Sequence, residues 1–84
     1  MSFSVLAEEI LPVCLIEDDK VLSKNICYGT INMGEDFTYE GEFENGRLNG
    51  KGTFVWHKSD VYNEYLGGFK DDKLHGKGTL TWVN

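Results

Sequence analysis

Several things are scarce in this chain, and each scarcity narrows what it can be. Among its 84 residues there is one proline, Pro12, and there are two cysteines, Cys14 and Cys27. Two cysteines without a framework of spacings do not describe a disulfide-dense secreted scaffold, and they lead us to expect a reducing compartment. Cys14 is read as a small core residue rather than a reactive thiol. No apolar run approaches the length needed to cross a bilayer. The start of the chain carries Glu8 and Glu9 and lacks the basic opening and long apolar core of a secretory leader. A cytoplasmic protein is therefore expected. Bases are also few: eight against 14 acids, for a net charge of −6. That balance disfavours nucleic acid or an anionic membrane as a partner held by simple electrostatics. Lys51, Lys58, Lys70, Lys73 and Lys77 are interleaved with carboxylates. A chain of this length is one domain or part of one, with little core, so its stability should lean on end caps or a partner.

Catalytic chemistry is equally thin. His57, Asp60 and Glu64 fall in one stretch but lack metal-ligand spacing, so no metal or cofactor is expected. Glu40, Glu42 and Glu44 alternate along one strand, and such carboxylates do acid–base work only in a dry cleft. Here they read as a solvated face or as a docking strip for a basic segment. Gly50-Lys51-Gly52-Thr53 and Gly76-Lys77-Gly78-Thr79 superficially suggest a phosphate loop. That loop has a longer glycine spacing and opens a helix, whereas these tetrapeptides open strands. The expected protein is not an enzyme.

What the chain does have is a repeat. Tyr39–Trp56, YEGEFENGRLNGKGTFVW, and Tyr65–Trp82, YLGGFKDDKLHGKGTLTW, agree at about nine of 18 positions when offset by roughly 26 residues. Within a unit, side chains alternate with the strand period. Tyr39, Gly41 and Phe43 share one face and Glu40, Glu42 and Glu44 the other; Gly52, Phe54 and Trp56 share a face opposite Lys51, Thr53 and Val55. Asn45 to Gly50 between them is turn chemistry. Each unit is thus a β-hairpin. If Glu44 and Lys51 close it, Phe43 faces Gly52, Gly41 faces Phe54 and Tyr39 faces Trp56. The second unit then sets Phe69 by Gly78, Gly67 by Leu80 and Tyr65 by Trp82. In that register large rings lie opposite glycines, which explains glycine inside a strand.

These residues resemble the membrane occupation and recognition nexus (MORN) repeat, roughly Y-x-G-x-[FW]-x-x-x-[KR]-x-x-G-x-G-x-[YFL]-x-[YW]. Tyr39, Gly41, Phe43, Arg47, Gly50, Gly52, Phe54 and Trp56 fill that pattern; so do Tyr65, Gly67, Phe69, Lys73, Gly76, Gly78, Leu80 and Trp82. His75 to Thr79 carries the family's His-Gly-Lys-Gly-Thr verbatim. The resemblance implies an elongated, single-layer curved sheet with a groove for a partner segment, often helical. It also implies scaffolding at cytoskeletal or membrane-associated structures, and the family's name suggests phospholipid binding or membrane tethering.

The remaining chain fits around the repeats. Ser4 could cap a short helix over Val5 to Leu11, ending near Pro12; a frayed tail is the other reading. Val13 to Ile16 and Val21-Leu22 flank the polar turn Glu17 to Lys20 as a degenerate hairpin, a cap for the repeats. Ile26 to Met33 is half a repeat, with Gly29-Thr30 matching Gly52-Thr53. The link His57 to Glu64 is longer than the link Gly34 to Thr38. The expected architecture is an all-β, single-layer antiparallel meander: a cap over residues 1–25, then a repeat domain over 26–84. Its parts are a half repeat at 26–38 and full repeats at 39–64 and 65–84. The last strand, Lys77 to Val83, should expose an unpaired edge for a partner strand or a second copy of this chain.

Phe43, Phe54 and Phe69 are read as core. Tyr39, Trp56, Tyr65 and Trp82 have polar tips suited to a half-exposed groove, and with Glu40 and Glu42 they are the candidate partner contacts. The functional reading is an adaptor or structural subunit. The alternatives are a phospholipid-binding module and a regulatory subunit of a separately encoded enzyme.

Overall fold

The computed structural model describes residues 11–83; the short-helix reading of the N-terminus lies largely outside them. Seven strands follow in order: β1 (Ile16–Glu17), β2 (Lys20–Val21), β3 (Cys27–Asn32), β4 (Phe37–Glu44), β5 (Arg47–Trp56), β6 (Tyr62–Lys70) and β7 (Lys73–Trp82). Strands β3 to β7 form one antiparallel sheet in chain order, and β1 and β2 form a separate two-stranded hairpin. The main sheet is an antiparallel meander of hairpins, and its single layer is the one the resemblance implied.

Both repeat hairpins turn more tightly than expected. Asn45 and Gly46 take φ of 55° and 76°, and Asp71 and Asp72 take 49° and 69°. These are the paired left-handed conformations of a two-residue turn, whose twist matches the flanking strands. Glu44 therefore pairs with Arg47, not Lys51. The observed partners are Phe37↔Trp56, Tyr39↔Phe54, Gly41↔Gly52 and Phe43↔Leu48. In the second unit they are Tyr65↔Leu80, Gly67↔Gly78 and Phe69↔Leu74. This corrects the expected register. Because the slip is an even number of residues, every side chain keeps its face. The residues assigned to the end of the turn belong to β5, where Gly50 has φ of 93° beside a register irregularity.

The corrected pairing puts glycines side by side across the sheet: Gly29↔Gly41, Gly41↔Gly52, Gly52↔Gly67 and Gly67↔Gly78. Rings still lie over glycines, but diagonally. A Cβ on Gly52 would collide with the Tyr39 ring, and one on Gly78 with the Tyr65 ring. Tyr39 on β4 and Phe69 on β6 meet across bare β5, edge to face with centroids 5.1 Å apart. Phe43 and Tyr65 extend the same cluster through edge contacts at 5.1 and 5.3 Å.

The cap folds over the same face. Cys14 and Ile16 pack on Gly29, where an added Cβ would lie 3.2 Å from Cys14 Cβ and 3.0 Å from Ile16 Cδ1. Tyr28 N donates to Pro12 O at 2.8 Å and Cys14 N to Tyr28 O at 2.9 Å, so the chain before β1 runs parallel along β3. The Asp18-Asp19 turn closes the hairpin with φ of 52° and 59°. Cys14 is a core residue, as expected, but it is also joined to Cys27 in a disulfide. The expected reducing compartment rested on two cysteines outside any framework of spacings, a reading that did not foresee the Cys14–Cys27 bond.

Candidate functional site

Between the cap hairpin and the sheet runs an open groove of about 680 Å³. Val21 of the cap forms one wall, and Ile31, Phe37, Tyr39, Phe43 and Phe54 form much of the floor. Alternation produces this floor, since odd-numbered residues of β3 and β4 face even-numbered residues of β5. Phe37 and Phe54 stack with centroids 4.7 Å apart, and Trp56 follows Phe54 at 4.8 Å. All three rings are half-buried. The rim carries both signs of charge, with Asp19 and Asp72 beside Lys20 and Arg47.

The structure separates the residues expected to contact a partner. Tyr39 is fully buried and Tyr65 is 7% exposed, so neither is half-exposed. Their hydroxyls turn inward: Tyr39 Oη donates to Glu42 O at 2.8 Å and Tyr65 Oη to Gly68 O at 3.2 Å. A buried tyrosine must satisfy its hydroxyl, and the backbone irregularity after the paired glycines supplies the carbonyl. Burial, reinforced by the Glu42 charge, pushes the Tyr39 phenol above its ordinary ionisation range. Trp56 lies half-buried beside the groove, and Trp82 lies on the outermost strand at 59% exposure.

Glu40 and Glu42 lie on the other face of the sheet. Glu40 is exposed between Thr30 and Thr53. The Glu42 carboxylate instead accepts from Lys51 N at 2.8 Å, satisfying backbone where the register shifts. No single flat partner can touch the tryptophans and Glu40 together. The outer face also has a shallow depression over Gly52, Gly67 and Gly68, flanked by Lys51, Lys77 and Leu66.

Sequence reasoning passed over Phe37, assigning it to the link before Tyr39. The signal was present, because Phe37 continues the odd-numbered series Tyr39, Gly41, Phe43. The link residues also clasp one another: His57 Nε2 and Thr38 Oγ1 hydrogen-bond at 2.8 Å, and Lys58 pairs with Asp36 at 3.3 Å. Among the described residues no group of three or more His, Cys, Asp or Glu is placed to hold a metal ion. No described helix is long and apolar enough to cross a membrane.

Comparison with known proteins agrees with this geometry. No curated protein and no solved structure matches the chain. The MORN repeat matches residues 39–61 and 65–84, just over half of its length, and these segments are the two hairpins whose tyrosines lie over paired glycines. On that match the chain belongs to the MORN-repeat family.

Proposed function

We propose that this protein is a non-catalytic interaction module, an adaptor or structural subunit that receives a partner segment in the groove beneath the cap. The observation that carries this reading is a groove of about 680 Å³ in which Phe37 and Phe54 stay half-buried, with half-buried Trp56 packed alongside. Half-buried aromatic rings in a concave setting are efficient anchors, because they desolvate large areas at little conformational cost. An amphipathic helical segment suits the site: its apolar side meets Phe37, Phe54 and Trp56, and its flanking charges meet the mixed rim. Tyr39 and Tyr65 hold the floor in place rather than touching the partner.

The test is a gentle tagged purification from the native cell, with co-purifying proteins counted for stoichiometry. A partner retained near one-to-one and released by Trp56→Ala, with the variant's circular dichroism unchanged, supports the reading. Recovery of the protein alone overturns it. Recovery with a catalytic protein identifies the assembly as an enzyme with this chain as its regulatory subunit.

One feature favours a second reading, phospholipid binding. Lys51 and Lys77 flank a glycine-floored depression on an otherwise acidic molecule. Salt-sensitive co-sedimentation with anionic vesicles, lost in Lys51→Gln/Lys77→Gln, would support it. The compartment is a separate question that thiol trapping in fresh lysate answers. A reduced Cys14–Cys27 pair fits the cytoplasm, at a cytoskeletal or membrane-associated site, and an oxidised pair fits an oxidising compartment.

A further inference from the structure

We infer that the Cys14–Cys27 bond is a redox latch: its reduction releases the cap from β3 and removes one wall of the groove, while the repeat sheet stays folded. As regulation of the proposed binding site it rests on the groove reading, but release of the cap is tested without any partner.

The bond ties the smallest element of the fold to an outer strand of the main sheet. The cap ladder has two residue pairs, Ile16↔Val21 and Glu17↔Lys20. A lone hairpin is marginal in water even when longer than this. Leu22 N donates to Leu15 O and Leu15 N to Ser23 Oγ, each at 2.8 Å, but these bonds stay within the cap. The cap meets the sheet through the Val13↔Tyr28 bridge, through Asn45 N donating to Lys24 O at 2.8 Å, and through partly buried Ile16 and Val21. With the bond closed, the segment from Cys14 to Cys27 is anchored at both ends. With it open, the segment is anchored only where it enters β3, and the closure entropy of the loop favours lifting.

The repeats do not need the latch. Tyr39, Phe43, Tyr65 and Phe69 make their edge contacts from β4 and β6, strands that contain no cysteine. The groove does need it, because Asp19, Lys20 and Val21 of the cap line one side. When the cap lifts, Ile31, Phe37 and Phe54 remain as a floor without that wall.

The bond is also within reach of a reductant. Cys14 is buried, but Val13 and Leu15 on either side of it are 83% and 64% exposed. Fraying of the isolated bridge at Val13 therefore bares the Cys14 sulfur without disturbing the repeats. A dithiol then reduces the bond in two exchanges. Its thiolate attacks Cys14 Sγ to form a mixed disulfide, and Cys27 leaves as a thiolate that takes up a proton. The second thiol of the reductant displaces Cys14, which is protonated in turn, and the reductant ends as a disulfide. Two electrons and two protons have passed to the cysteines.

The test is NMR of the full chain, oxidised and then reduced with dithiothreitol, beside the tagged purification washed with and without the same reagent. On reduction, residues 13–22 should shift toward unstructured-chain positions while β4 to β6 keep theirs. The Cys14, Leu22 and Tyr28 amides should exchange about 100-fold faster, the factor set by closing a loop of this size. A partner held by the oxidised chain should be lost in the reducing wash. Cys14→Ser/Cys27→Ser, which leaves the chain without a thiol, should fail to hold it in either wash. If that variant does not fold, the unaltered chain under dithiothreitol decides. Cap signals unmoved by reduction overturn the inference, and so does loss of the β4 to β6 signals together with those of the cap. A partner held equally after the cap has lifted overturns the regulation. Absence of any partner strikes the groove reading instead, and the spectra still decide whether the cap is released.

Discussion

At the scale of single residues, the protein depends on glycines and tyrosines acting together. Gly52 is bare because the Tyr39 ring occupies the place of its side chain. The ring cannot swing away, being fully buried with its hydroxyl held by Glu42 O. Gly52→Ala should therefore cost about 2–3 kcal/mol in urea denaturation, the upper part of the range for overpacking. Gly78→Ala meets the equivalent Tyr65 ring but lies on the exposed outer strand, so its cost should be smaller. Tyr39 also makes a pH prediction. Its folded-state ionisation is raised by burial and by Glu42, above the ordinary value of 10.0. Above that pH the unfolded chain loses the phenolic proton while the folded chain keeps it. Stability is thus fully present below pH 10 and falls as pH rises beyond it. Alkaline titration of denaturation midpoints should show this fall, and Tyr39→Phe should flatten it while costing about 1 kcal/mol for the lost hydrogen bond.

At the scale of elements, the cap and the hairpins are held by different means. The hairpins are held by ladders, close-packed rings and two-residue turns. The cap hairpin is only four strand residues long, and it is tied to the sheet by the Cys14–Cys27 bond, 13 residues apart in sequence, with Ile16 and Val21 packing beneath it. Closing a loop of this size stabilises by about 3 kcal/mol in the chain-entropy account. Cys14→Ser/Cys27→Ser should lose about 2–4 kcal/mol by thermal denaturation, with loss of amide protection concentrated in residues 12–22 and along β3. The pair was not legible from the sequence. Its cysteines adjoin only because the chain before β1 runs parallel along β3, and spacing alone does not record that. The hairpin turns were legible in part: Asn45-Gly46 is a strong two-residue turn signal. Extending the turn to Gly50 missed that Gly50's positive φ serves a strand irregularity rather than the turn.

For the whole molecule, protection follows depth in a single-layer sheet. The buried cluster lies on β3, β4 and β6 and under the cap, whereas β7 is exposed along its whole length. Hydrogen exchange should show a gradient, slowest in β4 and β5 and fastest in β7. Equal protection of β7 would contradict this distribution of packing. A single-layer sheet cannot cover both of its faces from within, and the half-buried rings at the groove are where the proposed partner segment would dock.

The sequence by itself determined the repeat and the faces of its strands, because alternation and glycine spacing are local properties recorded along the chain, although β4 and β6 begin inside stretches read as links. It also determined that Tyr39, Phe43, Phe54, Trp56, Tyr65 and Phe69 share one side, since an even-numbered register error leaves every face unchanged. Only the tertiary structure decided the register, the disulfide, and which aromatic rings stay accessible. Those depend on how close two backbones come. Where Gly41 meets Gly52, an added Cβ on Gly41 would lie 2.5 Å from the facing Cα, and that contact makes room for Tyr39 to sink into the core while Trp56 remains at the groove.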